Sequence, residues 1–129
     1  MPTVGEIMSG DVLAVEPATS IVEAARRMHE RLVGAVVVLD GDERLVGIVT
    51  ERDVLRAVAT GGVEQPVSEA MTSSPETVET DESAGQAAAL MIHGGFRHLP
   101  VVEGGAVVGM ISIRDLVRLT VDDEAPRGV

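Results

Sequence analysis

The chain has no cysteine, no tryptophan, no tyrosine and no lysine, and Phe96 is its only aromatic residue. Without cysteine there is neither a disulfide framework nor thiolate chemistry. One aromatic side chain cannot build the stacking platforms that hold single-stranded nucleic acid. Ten basic residues, all arginine, stand against 21 acidic ones, for a formal charge of −11. That field repels nucleic acid and anionic membrane surfaces, so neither is expected as a partner. A small anionic ligand would need arginines gathered around it. No apolar run approaches the ~18 residues of a membrane span. The opening MPTVGEIMSGDV lacks the basic start and apolar stretch of a signal peptide. The cytoplasm is the expected location. What is present is 129 residues, 45% of them hydrophobic, which suffices for one compact body with a core of Val, Ile, Leu, Met and Ala.

Internal similarity organises the chain. Val4–Met28 aligns with Val67–Met91 at an offset of 63: Met8 meets Met71, Val15 meets Val78, Ser20 meets Ser83, and Met28 meets Met91. After a loop shorter by one residue, Gly47, Arg52 and Asp53 meet Gly109, Arg114 and Asp115 at an offset of 62. The chain is a tandem duplication. We expect a first repeat over 1–62, a second over 63–121 and a polar, frayed tail over 122–129.

Periodicity assigns the elements of each repeat. SIVEAARRMHERL places Ile21, Ala24, Ala25, Met28 and Leu32 on one helical face, and Ser20 and Glu23 stand at capping-box spacing. Ser83 and Gln86 repeat the box, with Ala84, Ala87, Ala88 and Met91 as the face. GAVVVLD with RLVGIV, and RHLPVVE with AVVGMIS, read as two buried hairpins. VLAVE and ETVET read as short strands before the long helices, and RDVLRAVA and RDLVRLT as short helices after the hairpins. The fold class is therefore α+β, built from two β-α-β-β-α units, each preceded by a small helix. Units of about sixty residues bury too little alone, so the two should pack as one pseudo-two-fold body with clefts between them.

The hairpins end in GIVTERD (47–53) and GMISIRD (109–115), each a hydroxyl residue three positions before an aspartate. At a strand-to-helix junction this pattern serves as a cap: the hydroxyl accepts from a first-turn N–H and the aspartate sits at the positive end of the helix. The same geometry suits a ligand. A helix N-terminus with a hydroxyl attracts phosphate, a carboxylate can accept from two vicinal ribose hydroxyls, and Arg52 and Arg114 lie inside the motifs.

The duplicated order, the LVGIVTERD and VVGMISIRD endings, the HLPVVE strand and the methionine-containing openings resemble tandem cystathionine β-synthase (CBS) domains, the pair called a Bateman module. The resemblance spans residues 4–120. It implies two repeats packed through their sheets. It also implies clefts that bind an adenine nucleotide or related adenosyl ligand, such as AMP, ADP, ATP or S-adenosylmethionine, as a ligand rather than a required cofactor. Carried over residue by residue, the ribose-binding aspartates would be Asp53 and Asp115, and the phosphate-contacting hydroxyls Thr50 and Ser112. The basic-basic-Leu-Pro stretch that reaches phosphates maps onto Arg97, His98 and Pro100. The first repeat has VGAVVVL there, with Gly34 and Ala35, so two chemically different clefts are expected. Phosphates are expected first where Ser112 and Asp115 are joined by Arg97 and His98. The family also implies a homodimer and a regulatory, non-enzymatic role, with a ligand-free dimerisation scaffold as the alternative.

Other features carry less. His29 and His93 fall in or near helices without metal-ligand spacing, and no metal site is expected. DGDE and DDEA read as solvated loop and tail. Met8, Met28, Met71 and Met91 read as core fillers. No nucleophile elbow, Walker loop or acid/base pair is present.

Overall fold

Residues 2–121 are described by a computed structural model; the tail at 122–129 lies outside the described residues. The fold is α+β, with two sheets. In the first repeat, helix α1 (Val4–Ile7), strand β1 (Ala14–Val15), helix α2 (Ile21–Arg31), strands β2 (Ala35–Leu39) and β3 (Leu45–Thr50), and helix α3 (Glu51–Thr60) follow one another. The second repeat supplies α4 (Val67–Ala70), β4 (Thr72–Ser73), β5 (Val78–Glu79), α5 (Ala84–Gly94), β6 (His98–Glu103), β7 (Ala106–Ser112) and α6 (Ile113–Val121). Both hairpins form as expected, and β1 and β5 join β2 and β6 in parallel.

Helix α2 buries Ile21, Ala24 and Met28. Its N-terminus departs from the expected reciprocal box. The Ser20 hydroxyl accepts from the Glu23 N–H at 3.1 Å, but the Glu23 carboxylate turns to Arg27 Nε at 2.9 Å and to Arg26. In α5 the box closes both ways: Gln86 N–H donates to Ser83 Oγ at 3.1 Å and Ser83 N–H to Gln86 Oε1 at 2.8 Å. Ala89 and Leu90 offer Gln86 no competing cation where Arg26 and Arg27 draw Glu23 away. Leu32 also departs from its expected place on the buried face. The helix stops at Arg31, and Leu32 adopts a left-handed φ of 55° that leaves it 86% exposed. Its counterpart in the second repeat is Gly95, at φ 74°, where no Cβ opposes that conformation.

Periodicity did not predict β4. Thr72 and Ser73 of the second repeat add to the edge of the first repeat's sheet, antiparallel to Ile48 and Gly47. The counterpart is reciprocal: Ser9 of the first repeat exchanges two backbone hydrogen bonds with Met110 of the second, both of 2.9 Å. The small helices cross over as well. Val67 of α4 lies in one core with Ile21, Met28, Val36 and Val49, and Val4 of α1 lies in the other with Val78, Met91, Leu99 and Ile111. Both valines are wholly buried, each contributing on the order of 1.5–3 kcal/mol. Each sequence repeat thus completes its core with the opening segment of the other. The short units could not bury enough apolar surface alone, and the exchange ties them into one body.

Candidate functional site

Helices α3 and α6 start directly from the hairpin strands, so both hydroxyl-x-x-Asp motifs stand at helix N-termini. The cap is real in each copy, and it engages one carboxylate oxygen. Asp53 Oδ2 accepts from the Thr50 N–H at 2.9 Å and from the Thr50 hydroxyl at 3.3 Å. Asp115 Oδ2 accepts from the Ser112 N–H at 2.8 Å and the Ser112 hydroxyl at 3.1 Å, while Asp115 N–H donates to Ser112 Oγ at 3.3 Å. Asp53 is the buried charged residue among those described, 8% exposed. Its Oδ1 lies 3.7 Å from Arg56 Nη1, too far for a hydrogen bond. The cap therefore leaves Oδ1 for another donor, and capping and ligand binding are compatible.

Two clefts open on these aspartates. The first, of about 310 Å³, places Thr50, Arg52, Asp53 and Arg56 of one repeat against Thr72, Pro75 and Gly95–Leu99 of the other. The second, of about 980 Å³, places Ser112, Arg114, Asp115 and Arg118 against Ser9, Asp11–Leu13 and Leu32–Ala35. Ligand pockets typically span about 300–1,000 Å³. Each cleft combines the helix start of one repeat with the opening and hinge segments of the other, as the strand exchange dictates.

The expected partnership of Arg97 and His98 with Ser112 and Asp115 occurs in the second cleft, which all four line, and the same pair also lines the first. In the first cleft the whole segment Gly95–Leu99, carrying Arg97 and His98, faces Thr50 and Asp53; in the second, Leu32–Ala35, which has no cation, joins Arg97 and His98 around Asp115. Glu51 lines both clefts together with Arg97 and His98. Pro100 lines neither cleft; it is buried in β6 opposite Met110. Arg56 and Arg118 line the clefts but were not singled out from the sequence. The signal was there: both follow the aspartate by three residues in both repeats, one helical turn on, and so share its face. Phe96 lines the first cleft, and His29 lines the second.

His98 sits at the junction of the clefts. A Cβ on Gly34 would meet its Nε2 at 3.3 Å and Glu51 Oε1 at 2.5 Å. Its Nδ1 is buried without a hydrogen-bond partner among the described residues. Burial, reinforced by Arg97, holds the imidazole below its ordinary pKa, against the opposing pull of Glu51 and Asp115. A buried nitrogen left without a hydrogen-bond partner is costly. No cluster of three or more metal-ligating side chains occurs among the described residues, and no helix among them is long and apolar enough to cross a membrane.

Two copies of one fold, exchanging edges around paired clefts, define a tandem domain pair. The model of the CBS domain family matches residues 4–60 and 67–122, and the chain belongs to that family. Among curated relatives, an uncharacterised 17.7 kDa protein of Acidianus ambivalens is 39% identical over 92% of this chain and 73% of its own length. A CBS domain-containing protein of Arabidopsis thaliana is 39% identical over 86% of this chain, which spans 21% of that protein. Among solved structures, a CBS-domain containing protein of Agrobacterium tumefaciens is 40% identical, with a TM-score of 0.86 over 92% of this chain and 93% of that one. The CBS domain pair of protein MJ0100, solved with 5′-methylthioadenosine and S-adenosyl-L-methionine, is 27% identical with a TM-score of 0.90, covering 96% and 99% of the two chains. A CBS domain protein of Pyrobaculum aerophilum complexed with AMP is 30% identical with a TM-score of 0.84, covering 95% and 99%.

Proposed function

We propose that this chain is a non-enzymatic regulatory module that binds an adenosine-containing ligand between its repeats and transmits occupancy through a change in shape or association. The observation that carries the reading is the carboxylate of Asp53. Its Oδ2 is committed to the helix cap, and its Oδ1 stands in a cleft with Arg52, Arg56 and Arg97. In this reading Oδ1 accepts from the ribose hydroxyls, Thr50 and the first turn of α3 face the 5′ substituent, and the arginines offset the acidic field of the chain. Similar CBS pairs solved with AMP, 5′-methylthioadenosine and S-adenosylmethionine support the adenosyl class.

Each cleft draws residues from both repeats, so a ligand bridges them. It biases their relative tilt by its difference in affinity for the two arrangements. Leu55 and Val58 on α3 and Val117 on α6 are exposed apolar residues, and a homodimer through these helix faces is part of the proposal.

The test is a thermal-shift panel of AMP, ADP, ATP, NAD and S-adenosylmethionine, with Asp53→Ala and Asp115→Ala alongside. It is read with a dye or by calorimetry because the chain has no Trp or Tyr. A ligand at about 100 times its dissociation constant adds roughly 2.7 kcal/mol. If no nucleotide raises the midpoint at millimolar concentration, the ligand-free scaffold replaces this reading.

A further inference from the structure

The two clefts share their hinge cations. Arg97 and His98 line both, and the equivalent positions of the first repeat, Gly34 and Ala35, bring no positive charge. The space a side chain at Gly34 would fill is taken instead by Glu51 and by the imidazole of His98, reaching across from the second repeat. One cationic pair therefore stands where a symmetric duplication would place two.

We propose that the two clefts compete for Arg97 and His98, so that a phosphorylated adenosyl ligand in one lowers the affinity of the other for a second. The proposal rests on the reading that both clefts take adenosyl ligands. Each phosphate draws on the same two cations, and one pair cannot offset both. Glu51, at the same junction, adds negative charge. The competition is partial, because Arg52 and Arg56 line only the first cleft and Arg114 and Arg118 only the second. It depends on charge, so an adenosyl ligand without a phosphate escapes it.

Calorimetric titration of the full chain with AMP and with adenosine tests this. Asp53→Ala and Asp115→Ala each leave one working cleft and supply the affinities of the isolated sites. For AMP, the wild-type isotherm is expected to show a second site weaker by about tenfold than that site measured alone. For adenosine, it is expected to equal the sum of the isolated sites within about twofold. In the Arg97→Gln/His98→Gln double variant the AMP discrepancy is expected to shrink to about threefold or less. An AMP isotherm that equals the sum of the isolated sites overturns the inference but leaves the function standing. So does a discrepancy equally large with adenosine, or one unchanged in the double variant, since either means mechanical rather than charge coupling. Absence of binding by every chain overturns both.

Discussion

The side chain of Met71 lies over Gly47, so that a Cβ at Gly47 would meet its Sδ at 2.2 Å and its Cγ at 2.8 Å. Met8 and Gly109 repeat the relation, with 2.3 Å to Sδ. In each pair the methionine comes from one repeat and the glycine from the other. The glycines that open GIVTERD and GMISIRD are therefore seats for the exchanged segments. Gly47→Ala forces Met71 off its seat, and overpacking of this kind costs about 1–3 kcal/mol. Urea unfolding should show that loss, and a Met71→Ala partner substitution should recover part of it. An unchanged midpoint in Gly47→Ala would mean that the contact is unimportant.

The exchange also predicts how the chain tolerates cutting. A fragment of residues 1–62 matches the first sequence repeat but lacks Val67 and Met71, which complete its core. It keeps α1, whose Val4 belongs to the other core. Circular dichroism should find the isolated fragment without cooperative thermal unfolding, while the full chain unfolds cooperatively.

Because the whole of Gly95–Leu99 lines the first cleft and only Arg97 and His98 of it line the second, we expect the first to be the better phosphate site. Asp53→Ala should weaken binding of AMP by about tenfold more than Asp115→Ala does. Titration calorimetry decides the order, and a larger loss in Asp115→Ala would reverse the assignment of the clefts.

Both aspartates are caps as well as candidate ligand contacts, so their removal also affects folding stability. Ser112→Ala removes the acceptor for the Asp115 N–H and one donor to its carboxylate, a loss of about 0.5–2 kcal/mol. Denaturant unfolding without ligand measures it, and each binding variant has to be compared with its own ligand-free midpoint.

His98 makes stability depend on pH. Its folded pKa lies below the ordinary 6.5, chiefly through burial. The unfolded chain therefore takes up the proton first. The contribution of His98 is fully present above the unfolded value and is lost as pH falls through 6.5 towards the lower folded value. His98→Gln should flatten that part of the slope. Urea midpoints of the two proteins between about pH 7.5 and pH 5 are the measurement, and parallel slopes would show that His98 contributes nothing to them.

Much of this protein was determined by local sequence. The period of Ile21, Ala24 and Met28 is a helix, the β-branched runs on either side of Asp40 are a hairpin, and the serine and threonine caps stand at their helix starts, because these depend on neighbours a few residues away. The duplication made both copies legible and directed attention to Asp53 and Asp115. Tertiary structure decided which halves meet. Thr72–Ser73 and Ser9 are too short and too polar to announce the sheet edge they join, and nothing local in FRHLPVV tells which aspartate it will face. That depends on the crossing of α1 and α4 into each other's cores, a choice made by the need to bury Val4 and Val67. It set Arg97 and His98 between the two clefts, so that they face Asp53 as well as the Asp115 with which sequence alone had placed them.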